Sequence, residues 1–236
     1  MPKVEVQRKG GIAVLRLCRP EVRNAVDAEL SRELRMAVEA ALEDSSAICL
    51  RAEGSVFCSG GDIAALQDDD AALAVMDEMR GTLERLRQSP VPVIAYVEGL
   101  AIGGGAELAA SAHLLCCTPG ASFQFVQASL HLSPGWGGGP ALVQRVGRGR
   151  ALDLLLSARR IGAAAAEAIG LVDRILTPPM FADLMETVPL QDRELGCAEI
   201  SALRTDPEGA VQAAAEFSAL WRAERHHAAM RRFLDR

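Results

Sequence analysis

Basic charge and aromatic rings are both scarce in this chain. Its 236 residues carry 25 lysines and arginines against 31 aspartates and glutamates, for a formal net charge of -6, and aromatic residues make up only 4%. A nucleic-acid surface needs basic stripes interleaved with stacking rings, so that class of partner is not expected. An anionic ligand would have to be met by a local basic pocket. No apolar run is long enough to span a bilayer, and the opening "MPKVEVQRKGG" has no apolar leader core. The expectation is a cytoplasmic protein with no membrane partner. The six cysteines, Cys18, Cys49, Cys58, Cys116, Cys117 and Cys197, show neither C-x-x-C spacing nor the density of a disulfide scaffold. They read as reduced, small apolar residues, with the adjacent Cys116 and Cys117 pointing to opposite faces of a strand. Histidine is rarer still: His113, His131, His226 and His227 have no metal-ligand spacing, so no metal site is expected.

Half of the residues are hydrophobic, and the length allows one large domain or one domain with a small appendage. "KVEVQ" and "IAVLRL" flank Lys9-Gly10-Gly11 and read as a hairpin. Asp27 caps a helix whose Leu30, Leu34, Val38, Ala41 and Leu42 recur at helical spacing. "AICLRA" at 47–52 is a buried strand by composition. Asp68-Asp69-Asp70 reads as a solvated loop before a helix from Ala71 to Arg87. "PVPVIAYVEG" opens another strand after two helix-stopping prolines, and "HLLCC" at 113–117 is a further one. "ALVQRV", "ALDLLLSA" and "AAAAEAI" read as helices, and "LVDRIL" as a short strand. Pro178 and Pro179 mark a boundary, giving a core over 1–177 and a short C-terminal helical region over 178–236. Strands alternating with helices imply an α/β layout, with a mostly parallel sheet covered on both faces.

Two glycine-rich loops look alike. "AICLRA" exits into "EGSVFCSGGDI", and "PVIAYV" exits into "EGLAIGGGAEL". Loops at the carboxyl edge of a parallel sheet are where ligands bind. One backbone N–H from each could converge on a single oxygen, forming an oxyanion hole that a side chain would obstruct. The alternative for Gly103, Gly104 and Gly105 is close packing of a helix on the sheet. No Lys-Ser or Lys-Thr follows the glycines, and Leu108 stands where G-x-G-x-x-G needs its last glycine, so a nucleotide site is not expected.

At these residues the chain resembles the crotonase superfamily, the enoyl-CoA hydratase/isomerase family. The resemblance covers roughly residues 2–177 and rests on "RPEVRNAV" at 19–26, "FCSGGDI" at 57–63, "PVIAYVEGLAIGGGAELAASAH" at 92–113, "SPGWGG" at 133–138 and "AAEAIGLVDRI" at 165–175. It implies a crotonase-like α/β fold of repeated ββα units with a C-terminal helical region, assembled as homotrimers or hexamers. It implies an acyl-CoA thioester substrate, a place in fatty acid metabolism, and no cofactor beyond the coenzyme A of the substrate. Carried over, Gly61 and Gly104 supply the oxyanion-hole amides, and Gly60, Gly61, Asp62, Ile63 and Ala64 border the coenzyme A. Its adenine end lies near Arg23, Ala25 and Val26. Arg23 and Arg19 are candidates for its phosphates or a solvated surface pair, and Asp62 is a loop-stabilising acceptor rather than an acid catalyst. Glu107 and Gln127 are the candidate catalytic side chains, and Trp136 either narrows the acyl pocket or packs in the core.

The departures bear on the reaction. Hydratases of the family use two glutamates, one at the position of Glu107 and one twenty residues later in a Pro-Glu pair; here Val126-Gln127 stands at the second. An amide can orient a water but cannot act as a carboxylate base. Single-glutamate isomerases keep the later glutamate, which this chain lacks. "FVQASLHLSPGWGG" at 125–138 is similar to the ethylmalonyl-CoA decarboxylase-like branch. Ala64 stands where hydratases often carry lysine, and His131 is either a proton donor or an exposed loop residue. The expected function is thus acyl-CoA lyase chemistry of the enoyl-CoA hydratase/isomerase kind through a stabilised enolate. The alternatives are decarboxylation of a 2-carboxyacyl-CoA and non-catalytic acyl-CoA binding. The C-terminal "LWRAERHHAAMRRFLDR" either covers the acyl pocket or packs on a neighbouring subunit.

Overall fold

The computed structural model describes residues 2–203, 215–217, 219–220, 223–225 and 228. Strands β1 (Val4–Lys9) and β2 (Ile12–Leu17) form the expected antiparallel hairpin. Gly10 and Gly11 turn it with φ of 56° and 84°, the left-handed backbone that tight hairpin turns require. Helix α1 (Ala28–Asp44) begins where the Asp27 carboxylate accepts from the amides of Glu29 and Leu30. After β3 (Ala47–Ala52) and β4 (Val56–Cys58) comes α2 (Asp69–Arg87). The acidic run is therefore not a loop. Asp68 caps the helix by accepting from the Ala71 amide, and Asp69 and Asp70 fill the first turn, where the helix dipole favours carboxylates.

Strands β5 (Val93–Val97) and β6 (Leu100–Ile102) lead into α3 (Gly104–Ala110), and β7 (Leu114–Cys117) and β8 (Ser122–Gln124) lead, through a 3-10 turn, into α4 (Gly138–Ser157). The two helices expected from "ALVQRV" and "ALDLLLSA" are the halves of α4, which bends at Gly147 (φ 77°, ψ 159°). Next come β9 (Ile161–Gly162), α5 (Ala163–Ala168) and β10 (Arg174–Ile175), then α6 (Pro178–Met185), α7 (Val188–Gln191) and α8 (Arg193–Ala202). Most of "LWRAERHHAAMRRFLDR" lies outside the described residues, as do His226 and His227.

The chain thus repeats strand, strand, helix through β1-β2-α1, β3-β4-α2, β5-β6-α3 and β7-β8-α4. In the last three repeats the first strand enters a six-stranded sheet, ordered β1-β2-β3-β5-β7-β10, and the second enters a four-stranded sheet, ordered β4-β6-β8-β9. From β2 onward the large sheet is parallel. The second sheet is a correction to the sequence reading, which placed β4 and β6 inside glycine-rich loops.

Side chains alternate across the large sheet as period two demands. Leu15, Leu50, Ala95 and Cys117 enter the main core beneath α1 to α3. Cys49, Ile94, Tyr96 and Cys116 enter a smaller core with Phe181 and Leu190 on the other face. The neighbours Cys116 and Cys117 do part to opposite faces, and all six cysteines are free. The lone tyrosine anchors the smaller core: its ring stacks on Phe181 at 3.9 Å and 6°, and its hydroxyl donates to the Leu176 carbonyl at 3.0 Å. No helix among the described residues is long and apolar enough to cross a membrane.

Candidate active site

Strands β4 and β6 pair in parallel, with Val56 opposite Leu100 and Cys58 opposite Ala101. Their carboxyl ends are therefore adjacent, which brings the loop after Cys58 against the loop after Ile102. A side-chain carbon added to Gly60 would lie 3.2 Å from the Gly104 nitrogen. Around Gly61 the backbone bonds run from the Val26 amide to the Gly60 carbonyl (2.8 Å) and from the Asp62 amide to the Val26 carbonyl (2.9 Å). The Gly61 amide between them has no protein acceptor among the described residues. Gly104 is the first residue of α3, so its N–H has no intrahelical partner. Both glycines line a cavity of about 230 Å³ whose walls include Val75, Met76, Leu130 and Leu132.

Each of the three consecutive glycines has a separate reason. Gly103 holds φ 54° and ψ −120°, a backbone that side chains disfavour. A carbon added to Gly104 would stand 2.6 Å from Cε3 of Trp136, and one added to Gly105 would stand 2.1 Å from the Cys58 carbonyl oxygen. Helix-to-sheet packing thus governs Gly105, whereas Gly104 makes room for the indole and keeps its amide bare on the cavity wall. Trp136 is 5% exposed and serves both readings: it packs in the core and closes the cavity.

Glu107 sits in the first turn of α3 and is 1% exposed. Its Oε2 accepts from the amides of Trp136 at 3.1 Å and Gly138 at 2.8 Å, and its Oε1 accepts from Gln127 Nε2 at 2.7 Å. Burial pushes the carboxyl above its ordinary value, and the bonds from Gly138, Gln127 and Trp136 oppose that shift. Gly138 opens α4 and approaches so closely that a carbon on it would lie 2.4 Å from Glu107 Cβ. Glu107 therefore also ties α4 to α3, a role sequence reasoning missed. The three glycines after Trp136, Gly137 to Gly139, are the available signal. Gln127 is 7% exposed, and its Oε1 is buried with no hydrogen-bond partner.

The coenzyme A-side candidates separate. Arg23 is exposed, at φ 58° in the turn before α1, and no described residue pairs with it. Arg19 is corrected: it donates to the Ala25 carbonyl at 2.6 Å and lies 3.1 Å from both Asp27 and Asp62, so its guanidinium is already engaged. Asp62 accepts from Arg19 and from the Ala65 amide at 3.2 Å, a loop-stabilising acceptor. Gly60, Gly61 and Ile63 line the cavity, and Arg23, Ala25, Asp62 and Ala64 stand outside its lining. Asn24, which the sequence did not single out, is fully buried. It bonds the Arg19 amide and the carbonyls of Glu53 and Val56, tying this turn to β4.

His131 is exposed, at φ 54°, at the end of the 3-10 turn Gln127–Leu130. His113 is structural: Nδ1 accepts from the Val93 amide and Nε2 faces the Arg87 carbonyl at 3.1 Å. Burial pushes the Cys58 thiol up to about 12, which keeps it from acting as a nucleophile near neutral pH. Among the described residues no group of three His, Cys, Asp or Glu side chains could hold a metal ion.

Two strands per helix, wound so that glycine loops from successive turns line one apolar cavity, define the crotonase class of α/β protein. The sequence profile of the enoyl-CoA hydratase/isomerase family matches residues 7–207, and the chain belongs to that enzyme family. A Rhizobium meliloti protein named "Probable enoyl-CoA hydratase" is 35% identical over 175 residues, 73% of this chain and 68% of that protein. The ethylmalonyl-CoA decarboxylase of Danio rerio is 37% identical over 182 residues, 73% of this chain and 60% of that protein. A solved enoyl-CoA hydratase subunit I of Geobacillus kaustophilus superposes with a TM-score of 0.81 at 31% identity, covering 99% of this chain and 95% of that one. The match thus spans about two thirds or less of the curated relatives' own lengths.

Proposed function

We propose that the protein is an acyl-CoA lyase of the enoyl-CoA hydratase kind, in which the amides of Gly61 and Gly104 hold the thioester oxygen as it gains enolate charge. The carrying observation is that Gly61 and Gly104 line one cavity with the buried Glu107. When water adds to C3 of an enoyl thioester, negative charge moves to the thioester oxygen and the adduct collapses with a proton returned to C2. Each fixed donor aimed at such an oxygen contributes about 3 kcal/mol of transition-state stabilisation. Glu107 Oε2 accepts from the Trp136 and Gly138 amides and Oε1 from the Gln127 amide, with the Gly135 backbone also against the carboxyl. A carboxylate oxygen has two lone pairs, and the one on Oε1 that Gln127 does not use is assigned to the attacking water. Arg23, exposed in the turn before α1 and without a partner among the described residues, is the candidate for the coenzyme A phosphates. The same reading carries a homotrimer or hexamer acting in the cytoplasm, with no metal and no cofactor beyond the coenzyme A of the substrate.

A second reading, decarboxylation of a 2-carboxyacyl-CoA, is favoured by one observation: among the described residues Glu107 is the only carboxylate that lines the cavity. Loss of carbon dioxide generates the same enolate without a base. The deciding experiment incubates enoyl-CoA and 2-carboxyacyl-CoA thioesters in deuterated water with wild-type protein and Glu107→Gln, followed by mass spectrometry. Water addition that disappears in the variant is expected. Carbon dioxide loss with deuterium at C2 would establish the second reading, and turnover of neither class would leave a non-catalytic acyl-CoA binder.

A further inference from the structure

We propose that Arg19, which does not itself line the cavity, sets the direction of the Gly61 amide by locking the loop over 60–62 against the turn before α1. The inference rests on the oxyanion reading above and deepens it, with Arg19 as a positioning residue for that amide. It begins with the direction of a single N–H. Val26 and Gly61 form a parallel bridge outside the named strands. Val26 bonds the residues on either side of Gly61: its amide donates to the Gly60 carbonyl at 2.8 Å, and its carbonyl accepts from the Asp62 amide at 2.9 Å. In a parallel pair the residue opposite such a double contact turns its own N–H and C=O to the other side. The Gly61 N–H therefore points away from Val26, and two bonds to that one residue hold its direction. Gly61 lines the cavity and Val26 does not, in keeping with that direction.

An isolated bridge has no neighbouring rungs to keep it in place, so side chains must hold the two segments together. On the side before Gly60, the Ser59 amide donates to the Arg23 carbonyl at 3.1 Å, and Asn24 anchors the turn through the carbonyls of Glu53 and Val56. On the side after Gly61, Arg19 supplies the tie. Its Nη1 donates to the Ala25 carbonyl at 2.6 Å and lies 3.1 Å from Oδ2 of Asp62 and 3.1 Å from Oδ2 of Asp27. One nitrogen thus joins the residue before Val26 to the residue after Gly61. The two carboxylates are only 15% and 13% exposed at Asp27 and Asp62, where like charges are poorly screened. Lys3 reaches Asp27 and Glu29, which leaves Arg19 as the cation that reaches Asp62 among the described residues. Without the guanidinium, Asp62 would be driven from Asp27, its amide would leave Val26, and Gly61 would lose one of the two bonds that orient it.

Difference infrared spectroscopy of bound butanoyl-CoA, carrying heavy carbon at the thioester carbonyl, tests this, because donors aimed at that oxygen polarise the C=O bond and lower its stretching frequency. With wild-type protein the bound carbonyl is expected to absorb below the frequency of free butanoyl-CoA. Arg19→Met should lose about half or more of that shift while butanoyl-CoA affinity, measured by calorimetry, stays within about threefold. For whichever thioester the protein turns over, kcat should fall about tenfold or more with KM within about threefold, a part of what deleting an oxyanion donor outright costs. Asp62→Asn breaks the same tie from its other end, so the double variant should match Arg19→Met rather than add to it. A purely structural Arg19 would lower thermal stability and leave the carbonyl frequency of the folded variant at the wild-type value. That result would overturn the proposal, as would losses that add in the double variant. If Arg19→Met does not fold, Asp62→Asn decides by the same frequency. Wild-type protein that binds butanoyl-CoA with an unshifted carbonyl, or does not bind it, is a different outcome, which removes the oxyanion reading and this inference with it.

Discussion

Glu107 places a carboxyl where burial raises its pKa above the ordinary value, and the sign of the stability effect follows. The folded state holds that proton more tightly than the unfolded chain, so the contribution is fully present below the unfolded carboxylate value of about 4.5. It is lost as pH rises through the folded value. Glu107→Gln removes the ionisation. Its own amide oxygen can still accept from Trp136 and Gly138, and its Nε2 can donate to Gln127 Oε1 once that amide turns over. Urea denaturation should show the variant more stable than wild type at pH 7, with the advantage shrinking toward pH 4, while hydration falls by about a hundredfold or more. A variant less stable at pH 7 would mean that Glu107 serves the fold first and the chemistry second. Gly104 makes the complementary prediction. Gly104→Ala forces a carbon within 2.6 Å of the indole of Trp136, an overpacking that costs about 1–3 kcal/mol. Adding Trp136→Leu should recover most of that stability, and a double-mutant cycle showing simple additivity would exclude the contact as the cause.

At the scale of elements, long periodic segments were legible and short ones were not. The α1 stripe and its Asp27 cap could be read directly, because seventeen residues of helix repeat the apolar pattern over several turns. Three-residue strands such as β4 and β6 hold too few residues for period two to register, so their sequences read as loops. The acidic run before Ala71 misled because charge suggests solvation, while the same carboxylates also satisfy a helix N-terminus. Among the candidate site residues, Gly61, Gly104 and Glu107 came from the family resemblance carried by the "FCSGGDI" and "IGGGAEL" segments. The amides of Trp136 and Gly138 could not be found that way, since main-chain donors leave no mark on residue identity. His113 supplies a test of how two elements are joined, because it links the end of α2 at Arg87 to the start of β5 at Val93. Burial, aided by Arg145, lowers its pKa below the ordinary 6.5. The unfolded chain therefore binds the proton first, and stability present above about pH 6.5 is lost as pH falls toward the folded value. Thermal denaturation between pH 7 and pH 5 should show this decline, and His113→Asn should flatten it. An unchanged slope in the variant would place the acid sensitivity elsewhere.

For the whole molecule, the decisive step is that one chain direction fills two sheets at once, which no single window of sequence displays. Convergence of the "FCSGGDI" and "IGGGAEL" loops follows from the pairing of β4 with β6, and that pairing from each repeat sending its second strand into the smaller sheet. The cavity lined by Gly61, Gly104 and Glu107 consequently lies on one side of the large sheet. Helices α6 and α7 dock on the other side, through Phe181 and Leu190 in the smaller core. Beyond the shared strands the two faces are tied at the end of α1, where Ser46 donates to the Leu190 carbonyl and Arg193 to the Leu42 carbonyl, well away from the cavity, so damage to the smaller core around Phe181 should remain local. Phe181 is 4% exposed and stacks at 3.9 Å on Tyr96. Phe181→Ala should therefore cost about 3–5 kcal/mol in chemical denaturation. Under native conditions, hydrogen exchange should rise over residues 178–191 while β4, β6 and α3 stay protected, and butanoyl-CoA affinity should remain within twofold of wild type. Exchange that rises equally in α3, together with lost affinity, would show instead that the helices after Pro178 and the acyl cavity open as one cooperative unit.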